Sequence, residues 1–183
     1  MAVTLGHMAK MTGRKTPSKK TTTTKTKKNV VKEPPALYAT TTRTLHFLGG
    51  RSSVLAGIKI LEEKDFIDVI KKGIPRKTLD QLMLATGLTA AEIAKVIHTS
   101  DRTLRRYKDS TLLNAEQSER VIEIARLYSR GEEVMGSNEN FRLWMDSSIP
   151  SLGNRIPKEF LDTSMGIEIL MDTLGRIEQG VFA

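Results

Sequence analysis

The sequence predicts an all-α protein of two small helical units behind a basic leader. Three observations carry that prediction. From about residue 43 onward, apolar side chains recur at spacings of three and four instead of alternating as along a strand. Helix-capping residues, Thr89, Asn114 and Thr163 among them, precede these runs, and Gly73, Gly87 and Gly136 close them. The 183-residue chain has no cysteine, so no disulfide framework or thiolate chemistry is available, and its length suits one ordinary core or two small ones.

Residues 1–42 are expected to form a disordered leader. The stretch 9–35 is rich in Thr, Lys and Pro, including Thr21 to Thr24 and Pro34-Pro35, with little to bury. It also carries the charge imbalance. Nine Lys and Arg stand against Glu33 in the first 35 residues, whereas residues 36–183 hold twenty of each sign. The leader either adds nonspecific phosphate affinity through counterion release or is a solvated segment, with Met8 and Met11 as alternative starts. Any nucleic-acid argument for the remainder rests on local placement. No run approaches the ~18 apolar residues of a membrane span. The N-terminus lacks the basic start and apolar stretch of a secretory signal. The expectation is therefore a cytoplasmic protein with no membrane partner.

The first unit is expected over 43–136. It opens with a helix at 52–61, then a second from Asp65 to Lys72 with Phe66, Val69 and Ile70 on one face, ended by Gly73. Pro75 suits the first turn of a helix lined by Leu79, Leu82, Met83 and Thr86, which Gly87 stops. Thr89 and Glu92 make a capping-box pattern for a short helix through Ile97. After His98-Thr99-Ser100, Ser100 or Asp101 caps a helix carrying Leu104 and Tyr107. Asn114 opens a long helix with Val121, Ile122, Ala125 and Tyr128 on one face, ending near Gly136.

The second unit, 137–183, starts with Phe141, Trp144 and Met145 on one helical face. Ile149 to Asn154 is a loop, and Pro157 starts a short turn with Phe160 and Leu161. Thr163 or Ser164 caps a last helix striped by Ile167, Leu170, Met171, Leu174 and Ile177. Gln179-Gly180 releases a short apolar tail. No internal repeat is visible.

Thr89 to Lys108 has the parts of a helix-turn-helix. Ala94 is small enough for a close crossing, and Ile93, Ile97, Leu104 and Tyr107 can bury the contact. The second helix would lie in a DNA major groove. Arg102, Arg105 and Arg106 are then the candidates for guanine or phosphate, with Ser100, Thr103 and Lys108 as backbone contacts. His98 occupies the turn position where glycine is commonest, which asks an awkward conformation of it. The alternative reading is two core helices with a solvated basic face.

No catalytic constellation emerges. His7, His46 and His98 are scattered without metal-ligand spacing, and Gly49-Gly50 lacks the pattern of a phosphate loop. Glu62-Glu63 and Glu132-Glu133 are adjacent residues that point to different sides of a helix. The chain is expected to be no enzyme and to need no cofactor or metal.

The last stretch carries a family resemblance. Leu152-Gly153-Asn154-Arg155-Ile156-Pro157, Leu161-Asp162-Thr163, Gly166, and Leu174-Gly175-Arg176-Ile177-Glu178-Gln179-Gly180-Val181-Phe182 resemble the toxin-binding domain of the Xre/MbcA/ParS antitoxins. Upstream, Gly73-Ile74-Pro75, Arg102 to Arg106 and the helix from Leu113 to Arg130 resemble that family's Xre-type helix-turn-helix region. The resemblance covers about residues 45–183. Asn154 departs from it by standing where a second glycine is usual, and Ser148-Ile149 replaces a more typical Pro-Asn.

The resemblance implies a type II antitoxin partnered with a RES-domain toxin that consumes or transfers from NAD. Such an antitoxin blocks the toxin's active-site entrance, represses its own operator DNA, and forms homodimers and larger toxin complexes. Trp144, Leu174, Arg176, Ile177, Glu178, Gly180, Val181 and Phe182 are the expected toxin contacts. A plainer role for Phe182 is to fold back onto the Trp144 cluster. The rival function is a stand-alone helix-turn-helix regulator whose C-terminal unit senses a ligand.

Overall fold

A computed structural model describes residues 36–50 and 54–181. Its helices are α1 (Ala36–Phe47), α2 (Asp65–Lys72), α3 (Lys77–Thr86), α4 (Ala90–Val96), α5 (Asp101–Arg106), α6 (Ala115–Met135), α7 (Asn138–Met145) and α8 (Ser164–Glu178). A two-stranded hairpin, β1 (Val54–Leu55) and β2 (Ile58–Lys59), lies between α1 and α2, and 3-10 turns at Pro150–Leu152 and Pro157–Phe160 separate α7 from α8.

The N-terminal part differs from expectation twice. Residues 36–42, placed in the leader, belong to α1, and the helix expected at 52–61 is replaced by the hairpin. Thr41, Thr44, Leu45, Phe47 and Leu48 of this region are buried, so a threonine-rich run of modest intrinsic helicity is held helical by packing on α6. In the hairpin, Ala56 and Gly57 both take positive φ, 54° and 76°, as a two-residue turn joining paired strands requires. Leu55 and Ile60 are thereby buried. The rest of the leader lies outside the described residues.

The described residues form one compact unit, with α6 at its centre. Val121, Ile124, Ala125, Leu127 and Tyr128 are all fully buried, more than the single face the spacing suggested, because α1, α2, α3, α7 and α8 all pack on this helix. An aromatic chain runs through the core: Phe47 to Tyr128 at 6.0 Å, Tyr128 to Phe141 at 5.0 Å, Phe141 stacked on Trp144 at 5.6 Å. The boundary expected at residue 136 falls on Gly136, the left-handed cap between α6 and α7, without a break in the core. Gly131 makes that packing possible, since a Cβ there would lie 2.3 Å from the Phe141 ring.

Candidate functional site

The helix-turn-helix is built as its sequence dictates. Thr89 and Glu92 form the reciprocal capping box of α4, the Thr89 amide and hydroxyl each donating to Glu92 at 2.7 Å. Partial burial works against its ionisation, but these bonds hold the Glu92 carboxyl below its ordinary value. Ser100 rather than Asp101 caps α5, accepting from the Thr103 amide at 3.0 Å. Ile93, Ala94, Ile97 and Leu104 are buried between the helices, and Tyr107 is half-buried.

The turn between them is anchored. His98 takes a φ of 52°, the left-handed conformation its position required. Its Nε2 meets the Asp162 carbonyl at 3.0 Å and its Nδ1 meets Glu116 at 2.9 Å. Both partners are acceptors, so both ring nitrogens donate only in the imidazolium form. The Asp162 carbonyl first, then Glu116, raises the His98 pKa.

All six residues proposed to contact DNA are exposed. They are not equivalent. Arg105 donates to Asp101 at 2.9 Å, whereas Arg102 and Arg106, one turn apart on α5, make no ion pair among the described residues. The Ser100 and Thr103 hydroxyls bond each other at 2.8 Å, and the Lys108 amide donates to Thr111.

At the other end of α6, four of the expected toxin contacts converge. Trp144, Arg176, Ile177 and Val181 line an open, largely apolar pocket of about 320 Å³ together with Met135, Ile149 and Pro150. Glu178 is exposed and pairs with Arg130, while Gly180 continues the chain at a φ of 70°. Leu174 is corrected: it is fully buried, so it fastens α8 to the core and offers no contact surface. Phe182 lies outside the described residues. Met135, Ile149 and Pro150 escaped the sequence reading because their approach to α8 is tertiary. Asn154, standing where glycine is usual, takes a φ of 60°, a conformation asparagine tolerates better than most residues.

Between the two sites runs a polar seam that sequence reasoning missed. Arg120 is buried and donates to Glu123 and Ser164 at 2.7 Å each, to the Leu161 carbonyl at 3.3 Å and to the Val96 carbonyl at 3.4 Å. Lys95 pairs with Asp162 at 3.1 Å, and Lys158 with Asp146 at 2.6 Å and Glu92 at 3.7 Å. The end of α4 is thus joined to the start of α8. Among the described residues, no cluster of three His, Asp or Glu could hold a metal ion, and no helix is long and apolar enough to cross a membrane.

A capped helix pair with an exposed second helix, sharing one core with C-terminal helices that open an apolar pocket, defines a helix-turn-helix protein with a second, pocket-bearing surface. Comparison with known families sharpens this. Residues 65–126 match the antitoxin Xre-like helix-turn-helix domain, and residues 130–180 the antitoxin Xre/MbcA/ParS C-terminal toxin-binding domain. An antitoxin Xre from Yersinia enterocolitica is 30% identical over 64% of this chain and 80% of that relative. A Prs ADP-ribosylating antitoxin from Sphingobium is 27% identical over 65% of this chain and 81% of its own length. An antitoxin Xre from Photorhabdus laumondii is 24% identical, covering 62% and 78%. The chain belongs to the Xre/MbcA/ParS family of type II antitoxins, with a helix-turn-helix domain and a toxin-binding domain.

Proposed function

We propose that this antitoxin neutralises a RES-domain toxin that consumes or transfers from NAD, by setting the end of α8 over the toxin's active-site entrance, and that it represses its own operon through α5. The observation carrying the reading is the convergence of Trp144, Arg176, Ile177 and Val181 on one apolar pocket within the matched toxin-binding domain. Interface energy concentrates in a few such anchors. Arg176, exposed at the rim, can meet acidic or polar groups of an NAD cleft. The name of the Sphingobium relative includes ADP-ribosylation, a chemistry that draws on NAD, and this supports the same toxin class. Homodimerisation fits the DNA role, because a single short recognition helix reads only half of a two-fold operator.

The test is co-expression with the adjacent small open reading frame, affinity capture and an NAD-consumption assay, using the parent chain and Ile177→Asp. The parent should be captured with NAD loss suppressed. The variant, which places a carboxylate at the pocket wall, should lose both properties while keeping its thermal midpoint within a few degrees. Absence of capture by the parent would instead favour a stand-alone regulator whose pocket takes a small apolar ligand.

A further inference from the structure

α5 is only six residues long, about 9 Å of helix at 1.5 Å per residue. With Arg105 tied to Asp101, Arg102 and Arg106 are the arginines it leaves unpaired among the described residues. Protein–DNA interfaces place half or more of their hydrogen bonds on phosphate and sugar, so further donors must stand beside such a helix. α4 does not supply its lysine, because Lys95 is engaged by Asp162.

The loop that follows α5 is fastened to the start of α3. The loop after α5 is zipped onto the loop before α3: the Lys77 amide donates to Asp109 at 3.1 Å, Arg76 to Thr111 at 2.8 Å and Leu113 to Ile74 at 2.9 Å. Lys77 and Lys108 therefore share one edge. Both are exposed, and neither makes an ion pair among the described residues. Behind them Arg76 engages the carboxylates nearest this edge, Asp80 at 2.7 Å and Asp109 at 3.3 Å, which lessens their repulsion of an anion.

We propose that this edge, where α3 meets the loop following α5, is a second site for the DNA backbone, with Lys77 and Lys108 each neutralising a phosphate. It rests on the DNA-binding reading above and adds Lys77, on a different helix, to the contacts of α5. Two ammonium groups are point charges without a recognition fork, so the site sets affinity and register and reads no sequence.

The experiment measures binding of the full chain to two fluorescent duplexes of equal length, one from the DNA upstream of its own gene and one scrambled, from about 50 to 200 mM salt. Lys77→Ala/Lys108→Ala should flatten the dependence of log affinity on log salt by about 1.8, or 0.9 per phosphate, equally for both duplexes. Lys77→Arg/Lys108→Arg should restore the parent slope, and Lys64→Ala, at the far end of α2, should leave it unchanged. An unaltered slope for the alanine pair, or a loss confined to the upstream duplex, overturns the site while leaving α5 as the reading helix. A parent chain that binds neither duplex overturns the DNA-binding reading itself.

Discussion

Replacing Arg120 by Ala should destabilise the whole folded unit by about 3 kcal/mol, because the side chain holds a buried charge that four partners satisfy. Only 5% of the Arg120 side chain is exposed. Its 2.7 Å bonds to Glu123 and Ser164 are charge-assisted, each typically contributing ~1.5–3 kcal/mol, and its bonds of 3.3 and 3.4 Å to the Leu161 and Val96 carbonyls add less. Breaking a buried pair generally costs ~3–5 kcal/mol. Glu123 keeps 24% of its side chain exposed and can recover some water, which places the loss at the lower end. For a unit of this size each kcal/mol moves the melting point by about 2–4 °C, so the midpoint should fall by about 6–12 °C. Calorimetry and urea unfolding followed by two probes are the assays. Because Arg120 bridges α4, α6 and α8 within a continuous core, the transition should remain single and merely shift. Arg120→Met with Glu123→Gln, which removes the charge pair but keeps the volume, should recover part of the loss. A loss under about 1 kcal/mol, or two separated transitions in the parent chain, would refute the reasoning.

The remaining predictions concern the reading helix and its turn. Arg102→Ala and Arg106→Ala should each weaken binding to the upstream duplex by about 1–3 kcal/mol, whereas Arg105→Ala should cost less because Asp101 already engages that guanidinium; gel-shift titration at fixed salt ranks the three. The folded state raises the His98 pKa, so its contribution to stability is fully present below the ordinary imidazole value of about 6.5 and is lost as pH rises through the folded value. With Glu116, Asp162 and Arg120 as the neighbouring groups, the melting-point difference between parent and His98→Asn should be larger at pH 5.5 than at pH 8.5. Asn keeps the left-handed turn accessible, and equal differences at both pH values would show that the imidazolium is not the stabilising form.

The sequence was most legible where a local rule decides the structure. Thr89, Ser100, Asn114 and Thr163 all cap helices through side-chain bonds, and Gly87 and Gly136 close helices in the left-handed conformation. His98 was identifiable from the turn position it occupies, and Asn154 from the glycine usual at its place in the resembling family; both have positive φ. Local rules failed at the N-terminal end. The Thr40 to Thr44 run has weak helix propensity and is helical because its neighbours pack on α6, and Val54 to Ile60 has apolar residues compatible with either structure until the Ala56-Gly57 turn is formed. Several residues of the stretch that carried the resemblance line one pocket, but helical spacing alone could not tell an inward from an outward residue near the end of α8. Leu174 turned to the core while Ile177, three residues on, reached the pocket. Arg120 was hidden because one arginine in a charged helix gives no sign that it will be buried.

α6 explains how one small core can carry both proposed activities. At its start, Glu116 and Arg120 hold the helix-turn-helix through His98 and the Val96 carbonyl; at its end, Met135 forms pocket wall and Arg130 secures Glu178 of α8. Glu116 and Met135 are separated by about 28 Å of continuous helix at 1.5 Å per residue. On the proposed reading, a toxin seated at the pocket is therefore carried well clear of the groove that α5 enters, and both partners can be held at once. Any influence of one on the other has a defined route, since the segment from Leu161 to Ser164 that begins α8 is the same segment that grips Arg120 and His98. On that reading, a toxin that shifts α8 must work against those bonds before it can move the turn of the helix-turn-helix.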